Sequence, residues 1–329
     1  MKKAGRVLLR VLGFLLLVML VALPVLYFIL SSRPFREAIH RRVIAEVEKA
    51  TGGKVEFKNL TFDWKTQVSS ITDFTLHGTE GNDVAPLFHA DSVELGLRMD
   101  TPVRSSIRLA SLVIRKPKVR IEVHADGSTN LPKPAAVLKR TKLFLEEVVD
   151  LAIKRVEVED GIVDYKDRRL PFAAHGDHVE LRFAYEVATQ KYLGTFSSRK
   201  LRLDVPDFPE MLFDTDASLS IDTKGVDFRS LVLNSGQSDI LAKGRVTNFE
   251  DLTANLTVTA QLNVAEMWPP AIPGKGSGKV HFDGRFDSID WRKYKVTGQV
   301  SGGGLNYAYK QYQATNASLH GQLDLNHDG

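Results

Sequence analysis

Residues 93–99 read Val93-Glu94-Leu95-Gly96-Leu97-Arg98-Met99, with an apolar side chain at every second position. A period of two marks a β-strand with one apolar face and one wet face. Working outward, the same period runs through Val55 and Phe57, through Leu60, Phe62 and Trp64, and through Phe74 and Leu76. Ile107 with Leu109, then Val119, Ile121 and Val123, continue it. It resumes at Val156 and Val158 and at Val179, Leu181, Phe183 and Tyr185. Leu201 with Leu203, Leu219 with Ile221, and Leu231 with Leu233 follow. Leu256, Val258, Ala260 and Leu262 form a further clean run, and alternation persists to Leu319, Leu323 and Leu325. Turn signals punctuate the runs at Gly52-Gly53, Gly78, Gly81-Asn82, Lys116-Pro117, Asp126-Gly127 and Asp160-Gly161. Spacing this short favours antiparallel neighbours, because a parallel pair needs a long crossover.

Two segments depart from this period. Residues 11–30, VLGFLLLVMLVALPVLYFIL, contain no charge. About 20 apolar residues in a helix span a hydrocarbon core of roughly 30 Å. Lys2, Lys3, Arg6 and Arg10 precede them without an acid, a bias that holds the N-terminus in the cytoplasm. A cleaved signal peptide is the competing reading, but its apolar region is shorter and ends in a small-x-small site, which is missing before Arg33. Next, Phe35, Ile39, Val43 and Val47 recur at every fourth position between Pro34 and Gly52-Gly53. That pattern predicts an amphipathic helix, packed on a neighbouring sheet, lying at the membrane surface, or capping the end of a groove.

The expected organisation is a cytoplasmic arm and anchor over 1–32, the amphipathic helix over 33–53, and a first β-rich region over 54–126. A linker or lid over 127–152 follows, with Pro132, Pro134 and a basic cluster at Lys139, Arg140 and Lys142. Within it Leu143 to Leu151 reads as a short helix. A second β-rich region covers 153–329, with a Pro/Gly-rich bend from Met267 to Gly278. The 329 residues carry a formal net charge of +4. The four basic residues ahead of Val11 account for that excess, and the remaining charges balance. No nucleic-acid partner is therefore expected. The absence of cysteine removes disulfides, thiolate metal sites and Cys nucleophiles, and suits a bacterial periplasm.

No catalytic constellation stands out, so no enzyme activity, cofactor or metal is expected. Gly274-Lys275-Gly276-Ser277-Gly278-Lys279-Val280 lacks both the first Gly and the final Ser/Thr of a phosphate loop, and reads as a flexible bend. His175-Gly176-Asp177-His178 reads as a solvated loop rather than a metal site.

Five phrases resemble the AsmA-like superfamily, which includes the translocation and assembly module (TamB-like) proteins. They are Ala50-Thr51-Gly52-Gly53-Lys54-Val55 after the anchor and helix, residues 86–95 (PLFHADSVEL), residues 114–131 (IRKPKVRIEVHADGSTNL), residues 153–168 (IKRVEVEDGIVDYKDR) and residues 231–249 (LVLNSGQSDILAKGRVTNF). The likeness spans roughly residues 1–265. It implies an inner-membrane anchor and an elongated, curved antiparallel β-sheet shaped as an open groove or half-pipe. It also implies a conduit carrying membrane phospholipids toward the outer membrane, or a scaffold for outer-membrane proteins and their assembly or secretion machinery.

One-faced strands must bury their apolar side. A sandwich would close it against another sheet, whereas an open trough would line itself with it. On the trough reading Val93, Leu95, Leu97, Val119, Ile121, Val123, Val179, Leu181, Phe183, Leu256 and Val258 line the lipid path. Alternation alone leaves both architectures open.

Overall fold

The computed structural model describes residues 33–81, 84–99, 107–132, 149–169, 172–206, 208–248, 253–290 and 293–328. The apolar stretch 11–30 lies outside them, as do residues 143–148 of the short helix expected in the linker; Val149 and Asp150 are helical. Among the described residues no helix is long and apolar enough to cross a membrane.

Helix α1 (Arg33–Thr51) leads into one mainly β structure. Its strands are β1 (Val55–Glu56), β2 (Asn59–Asp63), β3 (Val68–Leu76), β4 (Phe88–Met99), β5 (Ile107–Arg115), β6 (Lys118–Val123), β7 (Arg155–Asp167) and β8 (Phe172–Glu186). They continue as β9 (Lys191–Asp204), β10 (Met211–Asp222), β11 (Gly225–Asn234), β12 (Asp239–Asn248), β13 (Thr253–Asn263), β14 (Lys275–Asp290), β15 (Lys293–Tyr309) and β16 (Tyr312–Asp328). All 16 belong to a single long, curved sheet. From β7 to β16 each strand pairs antiparallel with the next in sequence.

The expectation of antiparallel pairing needs one correction. β5 and β6 pair parallel to β7, with Ser111 opposite Arg155 and Val123 opposite Asp167. The chain leaves β6 at Val123 and re-enters at Arg155, so it must return along the full strand length first. A parallel neighbour demands such a crossover, which is why the alternation breaks after Asp126.

Two expected turns are not turns. Lys116 and Asp160 adopt φ of 48° and 54° inside continuous strand paths. Asp73, His178 and Lys200 do the same in β3, β8 and β9, at φ of 57°, 48° and 56°. Register shifts beside Asp160, His178 and Lys200 mark β-bulges, and Asp73 and Lys116 lie in line with them. Lys116 N–H donates to Glu159 O at 2.8 Å, His178 Nδ1 meets Asp160 Oδ1 at 2.6 Å, and Lys200 N–H donates to Asp214 at 3.1 Å. The bulges therefore lie side by side and form a crease across the sheet. A bulge adds one residue to a strand and bends it. Here the added residue also shifts the alternation. Val156 and Val158 precede the crease in β7, and Gly161, Val163 and Tyr165 follow it on the same face.

Two further expectations change. Residues 175–178 lie within β8, and residues 275–280 within β14, so neither stretch is a loop. Trp64 falls in the β2–β3 turn, where it is 72% exposed with its ring packed edge-on against Phe62 at 4.7 Å.

An L-residue held at positive φ costs roughly 1–2 kcal/mol, and a β-branched one more. Lys200 is exposed, so its side chain contributes little packing. Lys200→Gly is expected to leave stability unchanged or raise it by up to about 1 kcal/mol. Lys200→Val should lower it by about 1–2 kcal/mol despite its strand propensity. Urea unfolding of the two variants distinguishes these outcomes.

Candidate functional site

Directly paired residues on neighbouring strands point to the same face. Followed from strand to strand, the pairing gives one row of Ile71, Val93, Ile114, Val158, Leu181, Phe196, Ala217, Leu231, Ala242, Val258, Gly284, Gly298 and Leu323. Every member is apolar or glycine. The neighbouring row holds Leu95, Leu112, Val156, Phe183, Gly194, Leu219, Phe228, Gly244, Leu256, Phe286, Val296 and Leu325. The other face carries rows such as Lys243, Thr257, Arg285, Thr297 and Asp324.

All eleven residues expected to line a lipid path fall on the apolar face. Val93, Leu181 and Val258 share the first row; Leu95, Phe183 and Leu256 share the second. Leu97 continues the β4 alternation opposite Leu109. Val119, Ile121 and Val123 lie beyond the crease, opposite Val163, Tyr165 and Asp167. Val179 lies opposite Gly161.

No second sheet seals this face, because every described strand belongs to the one sheet. Leu181, Leu256 and Val258 are only half-buried, and Leu319 and Leu325 are 44% and 43% exposed. Its first end is covered. Val43, Ile44 and Val47 of α1 pack on Val55, Phe57 and Ile71, with Val93 beside them. Each such contact contributes on the order of 1 kcal/mol. The His40 ring sits 4.1 Å from that of Phe57, with Nε2 3.2 Å from Phe57 O. Of the predicted helical stripe, Ile39 stays 38% exposed.

The glycines were missed from sequence. Gly161, Gly176, Gly194, Gly244, Gly284, Gly298, Gly302 and Gly321 all fall on the apolar face. The signal was present as glycines in phase with apolar neighbours, for example Phe282-Asp283-Gly284-Arg285-Phe286. A Cβ at Gly276, near one edge, would meet the ring of Trp268 at 2.1 Å. The ring is held there by Nε1–H donating to Ile272 O at 3.1 Å and by Tyr307, 5.7 Å away.

The polar face carries the ionic chemistry. A hollow of about 350 Å³ there is lined by Arg120, Glu122, Asp164, His175, Arg202 and Glu210, among others. His175 bridges two carboxylates across β7 and β8, Asp164 at 2.5 Å and Asp177 at 3.2 Å. The hydrogen bond to Asp164 raises its pKa against the effect of burial, and both negative charges reinforce the rise. Among the described residues no group of three or more His, Cys, Asp or Glu could hold a metal ion. Arg245 joins Asp222 at 2.6 Å and also Asp227, and Lys191 reaches Asp222 at 3.2 Å. Burial pushes the Asp222 carboxyl up, but hydrogen bonds from Arg245, the Lys224 N–H and Lys191 outweigh it and hold the pKa at about 2. These contacts tie β9, β10, β11 and β12 together.

No family model matches the chain, and no curated protein matches it.

Asp222 titrates lower in the folded chain than its ordinary value of 3.8. Its contribution is therefore fully present above about pH 4 and is lost as pH falls toward 2. The shift corresponds to at most about 2 kcal/mol. Asp222→Asn should remove most of that at neutral pH and flatten the loss of stability between pH 4 and 2. Chemical unfolding at a series of pH values measures both.

Proposed function

We propose that this protein is a non-enzymatic, membrane-anchored carrier of phospholipid acyl chains, with the apolar sheet face as an open trough. The carrying observation is the unbroken apolar row from Ile71 to Leu323. At roughly 4.8 Å per strand it extends about 60 Å, without a charge and without a covering sheet. A soluble chain does not leave so much contiguous apolar surface without a use. The glycines support a trough rather than a flat sheet. Side chains crowd on the inner face of a curved sheet, and glycine is the residue that relieves crowding at a bend. The resemblance to the AsmA-like superfamily agrees with this reading.

On the same reading residues 11–30 anchor the chain in a bacterial inner membrane, with the N-terminus cytoplasmic and the sheet in the periplasm. α1 then begins within a few residues of the bilayer and closes the membrane-proximal end of the trough. A reporter fused after Gly329 is expected to be active only outside the cytoplasm; cytoplasmic activity would reverse the topology.

Leu181 and Val258 share one row, so a charge at either interrupts the same path. In an open trough, Leu181→Arg or Val258→Arg can lay its stem on the sheet and extend the guanidinium into water. Each variant should lose only about 1–3 kcal/mol, remain folded and anchored, and fail to retain lipid. Thermal unfolding of the full chain, paired with mass spectrometry of co-purifying phospholipid, tests this. Outright unfolding of both variants would mean a sealed core, and undiminished lipid would mean the row is no path.

A further inference from the structure

Two phenylalanines on the apolar face do not stand up from the sheet. A Cβ placed at Gly194 would meet the Arg182 backbone O at 2.1 Å and Phe183 Cδ1 at 2.5 Å, so the two strands approach closely there and the Phe183 ring lies against Gly194 on the neighbouring strand. From there it reaches past β9 to pack on the cluster of Ala217, Leu219 and Val226. Phe282 does the same farther along. A Cβ at Gly284 would meet Thr297 O at 2.2 Å and the Phe282 Cζ at 2.5 Å, and one at Gly298 would meet Asp283 O at 2.5 Å and the Phe282 Cε2 at 2.8 Å. Gly284 and Gly298 are directly paired across β14 and β15. One ring thus lies against two paired glycines, where the backbones themselves approach too closely to admit side chains. Both rings are half-buried, with the remaining surface uncovered by any described segment.

A phenylalanine upright on a strand would cross the path of a chain moving along the row. Laid on glycine, the same ring becomes a smooth apolar surface. Ring faces attract alkyl groups by dispersion, which has no directional demand. A hydrocarbon chain in contact with such a face can slide without breaking hydrogen bonds.

We propose that Phe183 and Phe282 are the floor-setting residues of the trough, rings held down by glycine over which a lipid acyl chain passes in direct contact. This rests on the lipid-carrying reading above. The chemical class it selects is a slender saturated or unsaturated hydrocarbon chain.

The test uses the full chain in membranes, with a photoreactive benzoylphenylalanine placed at position 183 or 282. Controls carry it at Arg182 or His281, neighbours on the polar face of the same strands. After irradiation, covalent phospholipid adducts are read by mass spectrometry. Adducts at 183 and 282 about tenfold or more above the controls are expected, because only one face of a strand meets the chain. Adducts no stronger than the controls, from protein that still co-purifies with phospholipid, would overturn this proposal alone. Protein that neither crosslinks nor co-purifies with phospholipid would remove the lipid-carrying reading together with it.

Discussion

The line of left-handed residues from Asp73 to Lys200 is the constraint on which the rest of the structure depends. A strand side chain changes face at every residue, so one added residue exchanges the faces of everything beyond it. If a single strand carried such an insertion, its apolar face would meet its neighbours' polar one. The insertion is tolerated because β7, β8 and β9 make it at one level, in line with the left-handed Asp73 of β3 and Lys116 of the β5–β6 junction. The charged residues held there suit their position. Asp160 and His178 face each other, and Lys200 meets Asp214. The cost of several left-handed residues is shared among elements that all gain from the same bend.

A sheet without a second layer must stabilise itself differently from a sandwich. Its buried hydrophobic clusters are small and local, one under α1 and one around Ala217, Leu219 and Val226. Much of the holding force comes from long backbone ladders and from ionic ties on the polar face. Arg115 bonds to Glu94 on one side and Glu159 on the other, across the parallel junction. Arg245 and Lys191 converge on Asp222 farther along. Exposed ion pairs are individually weak. Their placement between strands lets them fix register where apolar packing is one-sided.

Much of the fold was legible because period-two alternation is a strong local signal. Val93, Leu181 and Val258 were assigned to strands from spacing alone, and the pairing places them on one row. What spacing could not give was phase across strands. Asp160-Gly161 and Lys116-Pro117 look like turns because the residue types that tolerate positive φ are those that make turns. Only the neighbouring strands reveal that the chain continues straight on. The parallel pairing of β5 and β6 with β7 was hidden for a similar reason, since partner choice is not a local property. His175 lay in a stretch that read as a loop, because its glycine and polar residues obscured a strand whose apolar face there is Ala174 and Gly176.

The strand order from β7 to β16 follows the sequence without exception, and the backbone of each of these strands pairs only with its immediate neighbours in the sheet. Such an assembly is one-dimensional in its energetics, like a stack of repeats. Duplicating or deleting one hairpin would alter the length by roughly 10 Å while leaving every remaining interface as it was. The span of the molecule is thus a quantity that evolution can adjust in fixed increments, independently of the surface chemistry that each increment repeats.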